Sequence, residues 1–254
     1  MNSRRANDRN DDPGPDCARG SRDPTEIGSP RSVKIMGIGG AGVNILAGMY
    51  MSNLKGTELS RVNRTDGPQF CCVQTNADHL LMTHAGKKML IGSNTTGGKS
   101  TNGDPDLGEK AALESEDEIL GFLKGGDTVF LIADLGGGTG AGATRHIARL
   151  CKGLGILTIG IFIMPFEKEE ENRRINAQEA LHHLTGICDI ALTLNNDLLL
   201  KLRPEPSLNG AFRCTGMLAS GLIEEVLSML RAQRSRDDSF VPRPAPAAEA
   251  SHHR

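Results

Sequence analysis

Five glycines fall within seven residues, Gly136 to Gly142, directly after the apolar run Asp127-Thr-Val-Phe-Leu-Ile-Ala133. Glycine loses more backbone freedom on folding than any other residue, so such a stretch needs a physical reason. A structural turn is served by one or two glycines. Five predict a strand-to-helix loop whose backbone something else approaches closely. A second loop of this kind, GIGGAGVN at 37–44, follows the run SVKIMGI and satisfies G-x-G-x-x-G through Gly37, Gly39 and Gly42. Glycine lets the main chain reach a phosphate, and the first amides of a helix supply donors and a favourable dipole. Taken alone, that pattern also describes a plain tight turn. A dinucleotide reader would further need an acid near the end of its second strand. Here that strand ends in Gln74-Thr75-Asn76, with Asp78 beyond it.

The rest of the chain says what these loops are attached to. Strands are predicted at 32–38, 69–75, 87–92, 127–134, 156–164 and 188–194, and helices at 41–51, 106–125, 144–155, 171–187 and 216–233. Asp104 or Asp106 is the candidate cap of the 106–125 helix and Gly125 its stop. Continuous β-branched runs alternating with helices imply an α/β fold with a parallel sheet covered on both faces. In such sheets ligands bind outside the carboxyl ends of the strands, where both glycine loops lie.

Residues 1–31 and 232–254 are rich in Arg, Asp, Pro, Gly and Ser with little to bury, and read as disordered tails around one folded unit, 32–231. A net charge of −2 offers no basic excess for nucleic acid, and 3% aromatics leave few platforms for base stacking. No apolar run approaches the ~20 residues of a membrane span. The twin arginine at Arg4-Arg5 has no apolar segment behind it, so no export signal is expected. The six cysteines form no CxxC pair, and several sit in apolar runs, which suits a reducing, cytoplasmic setting.

Two further stretches invite chemistry and fail on spacing. IGSNTTGGKST at 91–101 resembles a phosphate loop, but counting G-x-x-x-x-G from Gly92 puts Gly98 where lysine belongs; it reads as a flexible polar loop. His182 and His183 lack i, i+4 spacing and a third ligand, so they read as surface residues rather than a metal site.

Two glycine loops in this order can wrap one polyphosphate from two directions, and here the chain resembles a known family. GGGTGAG is similar to the signature loop of the tubulin/FtsZ family, and GIGGAGVN to that family's first nucleotide loop. VQTNAD (73–78), NGDPDLG (102–108), ILTIGIFIMPF (156–166), LTLNND (192–197) and SLNGAF (207–212) resemble its further loops in the same order, over about 32–231. The resemblance implies the family's three-layer, Rossmann-like sheet and a GTP/GDP site, with Mg2+ as a companion ion. It places Gly39, Gly40, Ala41, Gly42 and Asn44 in the first loop, and Gly136, Gly137, Gly138, Thr139 and Gly140 in the second. It puts Glu169 at the ribose, Arg173 on the nucleotide, Asn196 near the sugar and Phe212 beside the base. Without it, Glu169 is one of four acids in EKEEE and equally a solvated helix start, and Arg173 and Arg174 are equally surface charges.

Two departures shape the functional expectation. Where the family reads guanine with an acid one turn after the phenylalanine, this chain has Gly216 and Met217, neither of which accepts a hydrogen bond from guanine. The family's acidic loop, N-x-D-x-x-D in FtsZ, has no match in RAQRSRDDSFVP at 231–242, and its second domain has no counterpart in this sequence. No catalytic residue is therefore assigned. The expectation is an FtsZ-like, GTP-binding protein of the cell-division cytoskeleton class that acts with a full-length FtsZ-type partner, which would supply any acid for hydrolysis. One alternative is a non-enzymatic regulator that caps such filaments. A more distant one is an NAD-dependent oxidoreductase, which would leave GGGTGAG, Glu169 and Arg173 without a role.

Overall fold

A computed structural model of the chain describes residues 32–51, 67–84, 86–201 and 208–239. The N-terminal tail expected at 1–31 and the stretch 240–254 lie outside the described residues. The strands are β1 (Ser32–Ile38), β2 (Gln69–Gln74), β3 (Lys87–Leu90), β4 (Gly126–Asp134), β5 (Leu157–Met164) and β6 (Ile190–Asn195). The helices are α1 (Gly39–Met51), α2 (Ala77–Met82), α3 (Ser93–Thr96), α4 (Pro105–Glu114), α5 (Glu116–Leu123), α6 (Gly138–Gly153), α7 (Glu171–Ile187), α8 (Asn196–Lys201) and α9 (Leu208–Ser239).

The strands form one parallel sheet in the order β3-β2-β1-β4-β5-β6. Both faces of each central strand are buried, which is why the runs are continuously apolar rather than alternating. Met36 and Ile38 point into a layer with Ala111, Phe122, Ile147 and Leu184. Val33 and Ile35 point the other way, onto Val43, Leu46, Ala219 and Ile223. The sheet is thus the middle of three layers, as expected from the sequence.

Strand order reverses between β1 and β4, the place where open parallel sheets form a ligand crevice at their carboxyl ends. The two glycine loops follow these two strands. The sheet topology alone therefore brings together loops about a hundred residues apart.

Helix boundaries depart further from expectation. The single helix read at 106–125 is two, α4 and α5, broken at Ser115, whose Oγ accepts from the N–H of Gly92 at 2.9 Å. Asp104 is the cap of α4: its Oδ1 accepts from the backbone N–H of Asp106 and Leu107. The loop read at 91–101 contains the short α3, held by Glu114, whose carboxylate accepts from the N–H groups of Asn94 and Thr95. α9 runs to Ser239, so residues 232–239, read as part of a tail, are helical. Among the described residues, no helix is long and apolar enough to cross a membrane.

Candidate functional site

The two glycine loops touch backbone to backbone. Gly39 has φ +73°, and a Cβ there would lie 2.8 Å from the backbone nitrogen of Gly140. Much of the close approach predicted from the sequence is made by the chain itself. A Cβ at Gly138 would meet the backbone of Asp104 and the Thr101 hydroxyl; at Gly140, the Asp134 carbonyl; at Gly142, the Pro105 carbonyl. On the first loop, a Cβ at Gly42 would strike the carbonyl of Ile132. These glycines let α1 and α6 start flush against β4 and α4.

Three glycines are different. The nearest protein atom to a Cβ on exposed Gly40 is His79 Cε1 at 3.9 Å, and on Gly137 it is Asp134 Oδ2 at 3.6 Å. On Gly136 it is the Arg173 guanidinium at 3.2 Å. Gly137 is also the N-cap of α6, a 16-residue helix, and no side chain caps it. The first amides of that helix therefore meet open backbone with no side-chain cap among the described residues, and the Asp134 carboxylate is the charge beside them. Ala41 follows, half-buried, and Asn44 is exposed one turn into α1.

The Thr139 hydroxyl is enclosed. Its Oγ1 lies 2.9 Å from Thr75 Oγ1 and 3.2 Å from Thr101 Oγ1, and all three residues are buried. This cluster joins the ends of β2 and of the loop before α4 to the start of α6. Behind the first loop a second chain of bonds sets a tautomer. The N–H of Thr75 donates to Gln74 Oε1 at 2.9 Å, which turns the Gln74 amide nitrogen toward His79 Nδ1 at 3.1 Å. Nδ1 then accepts, and His79 Nε2–H is left to donate to Asn44 Oδ1 at 3.0 Å.

Glu169 and Arg173 are brought together as one unit with a residue the sequence reading missed. Arg173 Nη2 donates to Asp134 Oδ2 at 2.9 Å, and its Nε donates to Glu169. Glu169 Oε1 also accepts from the N–H of Phe166 at 2.8 Å, and Asp134 Oδ1 from the N–H of Gly136 at 3.1 Å. Burial pushes the Asp134 carboxyl above its ordinary value, although the Arg173 charge pulls it back. Burial disfavours the Arg173 charge in turn, but Asp134 and Glu169 outweigh this and raise its pKa. Arg174 is exposed and outside this network. An acid at the end of a buried strand was the one cue for Asp134.

Asn196 opens α8 at the end of β6 and is 3% exposed, yet its Oδ1 has no hydrogen-bond partner among the described residues. A buried acceptor left unsatisfied is costly, and a ligand hydroxyl is one group that would satisfy it. Phe212 lies in α9, but its side chain is outside the described residues. On the same helix Gly216 is half-buried and Met217 is 69% exposed, so no acid stands at this turn. Among the described residues no group of three or more His, Cys, Asp or Glu side chains could hold a metal ion.

This arrangement recurs in known proteins. A family model described as Tubulin/FtsZ family, GTPase domain, matches residues 32–204. Cell division protein FtsZ 1 of Archaeoglobus fulgidus is 34% identical over 198 residues, covering 78% of this chain and 51% of that one. Cell division protein FtsZ of Methanothermobacter thermautotrophicus is 36% identical over 202 residues, covering 80% and 50%. Among solved structures, an empty FtsZ dimer of M. jannaschii superposes with a TM-score of 0.68 at 32% identity, over 77% of this chain and 54% of that one. CetZ2 of Haloferax volcanii, a protofilament with GTPgS bound, shares the fold with a TM-score of 0.67 at 20% identity. The chain spans about half the length of the curated relatives it matches. With its signature loops, sheet order and sequence in agreement, the chain belongs to the tubulin/FtsZ family, and residues 32–204 match that family's GTPase domain.

Proposed function

We propose that this chain binds a guanine nucleotide in the crevice between β1 and β4, and that it acts together with a filament-forming FtsZ-type protein. The observation that carries this reading is the meeting of Gly39 and Gly140, with open backbone at Gly40 and Gly137 on either side. The phosphates lie over these glycines and take hydrogen bonds from the first amides of α6. Thr139 contributes its backbone N–H, because its hydroxyl is already shared with Thr75 and Thr101. Asn44, held by His79, flanks the phosphates, and the sugar hydroxyls fall to Glu169 and Asn196. Phe212 packs on the base, and Mg2+ arrives with the triphosphate. Nothing at Gly216 or Met217 accepts from guanine N1 and N2, so discrimination against other bases is expected to be loose.

Hydrolysis, in this reading, needs acids from a partner, because RAQRSRDDSFVP lacks the acidic pattern of the family's FtsZ members. The setting is the cytoplasm. One observation favours a second reading, a filament cap with weak or no nucleotide binding. Asp134 and Glu169 place two carboxylates against the single Arg173, leaving excess negative charge where phosphates would lie.

Calorimetric titration with GTP, GDP, ATP and NAD separates these readings, followed by phosphate-release assays alone and with a full-length FtsZ. Saturable GTP and GDP binding is expected, with phosphate release only in the mixture. Absence of any nucleotide binding overturns the proposal in favour of the cap, and NAD binding alone would favour an oxidoreductase.

A further inference from the structure

At the opposite, amino-terminal end of the sheet lies a cavity of about 350 Å³ lined by Lys34, Gln69, Phe70, Lys87, Gly121 and Phe122. We propose that it is a binding site for a small organic carboxylate. The charge is held between Lys34 and Lys87, and an apolar body is laid against the ring of Phe122. This site is separate from the crevice between β1 and β4 and does not depend on nucleotide binding.

Lys34 is the key observation. It sits at the start of β1 on the same face as Met36, only 6% exposed, a rare burial for lysine. Its ammonium carries three donors and has one acceptor among the described residues, Gln69 Oε1. Lys87, on the edge strand β3, is exposed and has neither a carboxylate nor a hydrogen-bond acceptor for its ammonium among the described residues. Both ammonium groups converge on one ring, 5.2 Å and 5.6 Å from the centroid of Phe122. The ring face attracts each cation but satisfies none of their N–H donors. Two positive charges are thus gathered at one cavity, and among the described residues no carboxylate forms an ion pair with either. Burial, and then the charge of Lys87, lower the pKa of Lys34, which is the stress a bound anion would relieve.

The walls select among anions. A carboxylate offers two oxygens with about four acceptor sites, enough for donors from both lysines. The Phe122 ring favours a carboxylate with an apolar body over an inorganic ion. The volume is at the low end of ligand pockets, roughly 300–1,000 Å³, too small for a nucleotide but adequate for a short aryl or alkyl acid. Gly121, where a Cβ would meet nothing within 4 Å, adds no side chain to obstruct the mouth.

Calorimetric titration of the full chain with 3-phenylpropionate tests this, with acetate and 3-phenylpropionamide as controls. Saturable binding of 3-phenylpropionate is expected, with weaker binding of acetate and none of the neutral amide. Lys87→Gln, at an exposed position, should weaken binding at least about tenfold, the scale of one hydrogen bond to a charged group. Lys34→Met should abolish it, with circular dichroism checking that the variant folds. GTP affinity should be unchanged in Lys87→Gln, so this site and the proposed nucleotide site fail independently. The proposal is overturned if 3-phenylpropionate does not saturate, if the amide binds as tightly as the acid, or if Lys87→Gln retains full affinity.

Discussion

Gly137 and Gly138 are neighbours in the sequence that face different surroundings. A side chain on Gly138 would enter the backbone of Asp104 and the hydroxyl of Thr101, whereas one on Gly137 has only Asp134 Oδ2 at 3.6 Å. Gly138→Val should therefore destabilise the fold by about 1–3 kcal/mol or more through overpacking, read as a lowered midpoint in urea. Gly137→Ala should leave that midpoint within about 0.5 kcal/mol, as for other unencumbered positions. It should still weaken GTP binding, because the methyl group stands where the phosphates approach. Equal effects of both on stability would show that Gly137 is as tightly packed as its neighbour. Thr139→Ala removes one hydroxyl from the buried trio and leaves Thr75 and Thr101 short of a partner. A loss of about 1–3 kcal/mol is expected, with Thr139→Ser recovering most of it.

Between elements, Arg173 fastens the start of α7 to the end of β4, and the energetic test is electrostatic. Its side chain is 34% exposed and that of Asp134 16%, so solvent screens part of the interaction. Arg173→Met should cost about 1–3 kcal/mol, less than the roughly 3–5 kcal/mol of a fully buried pair. The loss arises because Asp134 keeps its charge with only the Gly136 N–H to satisfy it. A folded-state carboxyl pKa above the unfolded value means that the folded chain holds the proton more tightly. Stability from this group is therefore greatest at acid pH and falls as pH rises through the carboxylate range. The gap between wild type and Arg173→Met should accordingly narrow on acidification, and adding Asp134→Asn should narrow it at neutral pH. A gap independent of pH would mean that Arg173 contributes packing rather than charge. The same scale shows what the sequence concealed. The run 106–125 has uninterrupted helical periodicity, and the break at Ser115 comes from a bond to Gly92, 23 residues away. Glycine disfavours helix, so GTGAGA read as loop. Yet α6 begins at Gly138, because Gly138 and Gly142 let its backbone lie against Asp104 and Pro105 of the preceding segment.

For the molecule as a whole, the layered parallel sheet was legible because doubly buried strands leave an unmistakable run of apolar residues, ILTIGIFIM being the clearest. The pairings across it were not, since Asp134 with Arg173, His79 with Asn44 and Lys34 with Lys87 meet only through strand order. The doubly covered sheet also predicts how the molecule opens. Cys71 and Cys72 are consecutive on β2 and face opposite layers, Cys71 with α4–α7 and Cys72 with α1 and α9. Burial pushes both thiols up to about 12 from the ordinary value of 9.0. At pH 8 a thiol with a pKa near 12 is about one part in ten thousand thiolate, against roughly one in ten when unfolded. Alkylation should thus be about a thousandfold slower in the fold before access is considered. Cys151, also pushed to about 12, should follow Cys71 in the same layer, while the half-buried Cys188, at about 11, should react sooner. If the sheet unfolds as one unit, iodoacetamide will label Cys71 and Cys72 at the same rate, and that rate will track global stability across urea concentrations. Earlier labelling of Cys72 would show that the layer of α1 and α9 detaches first and that the two halves of the core are separate cooperative units.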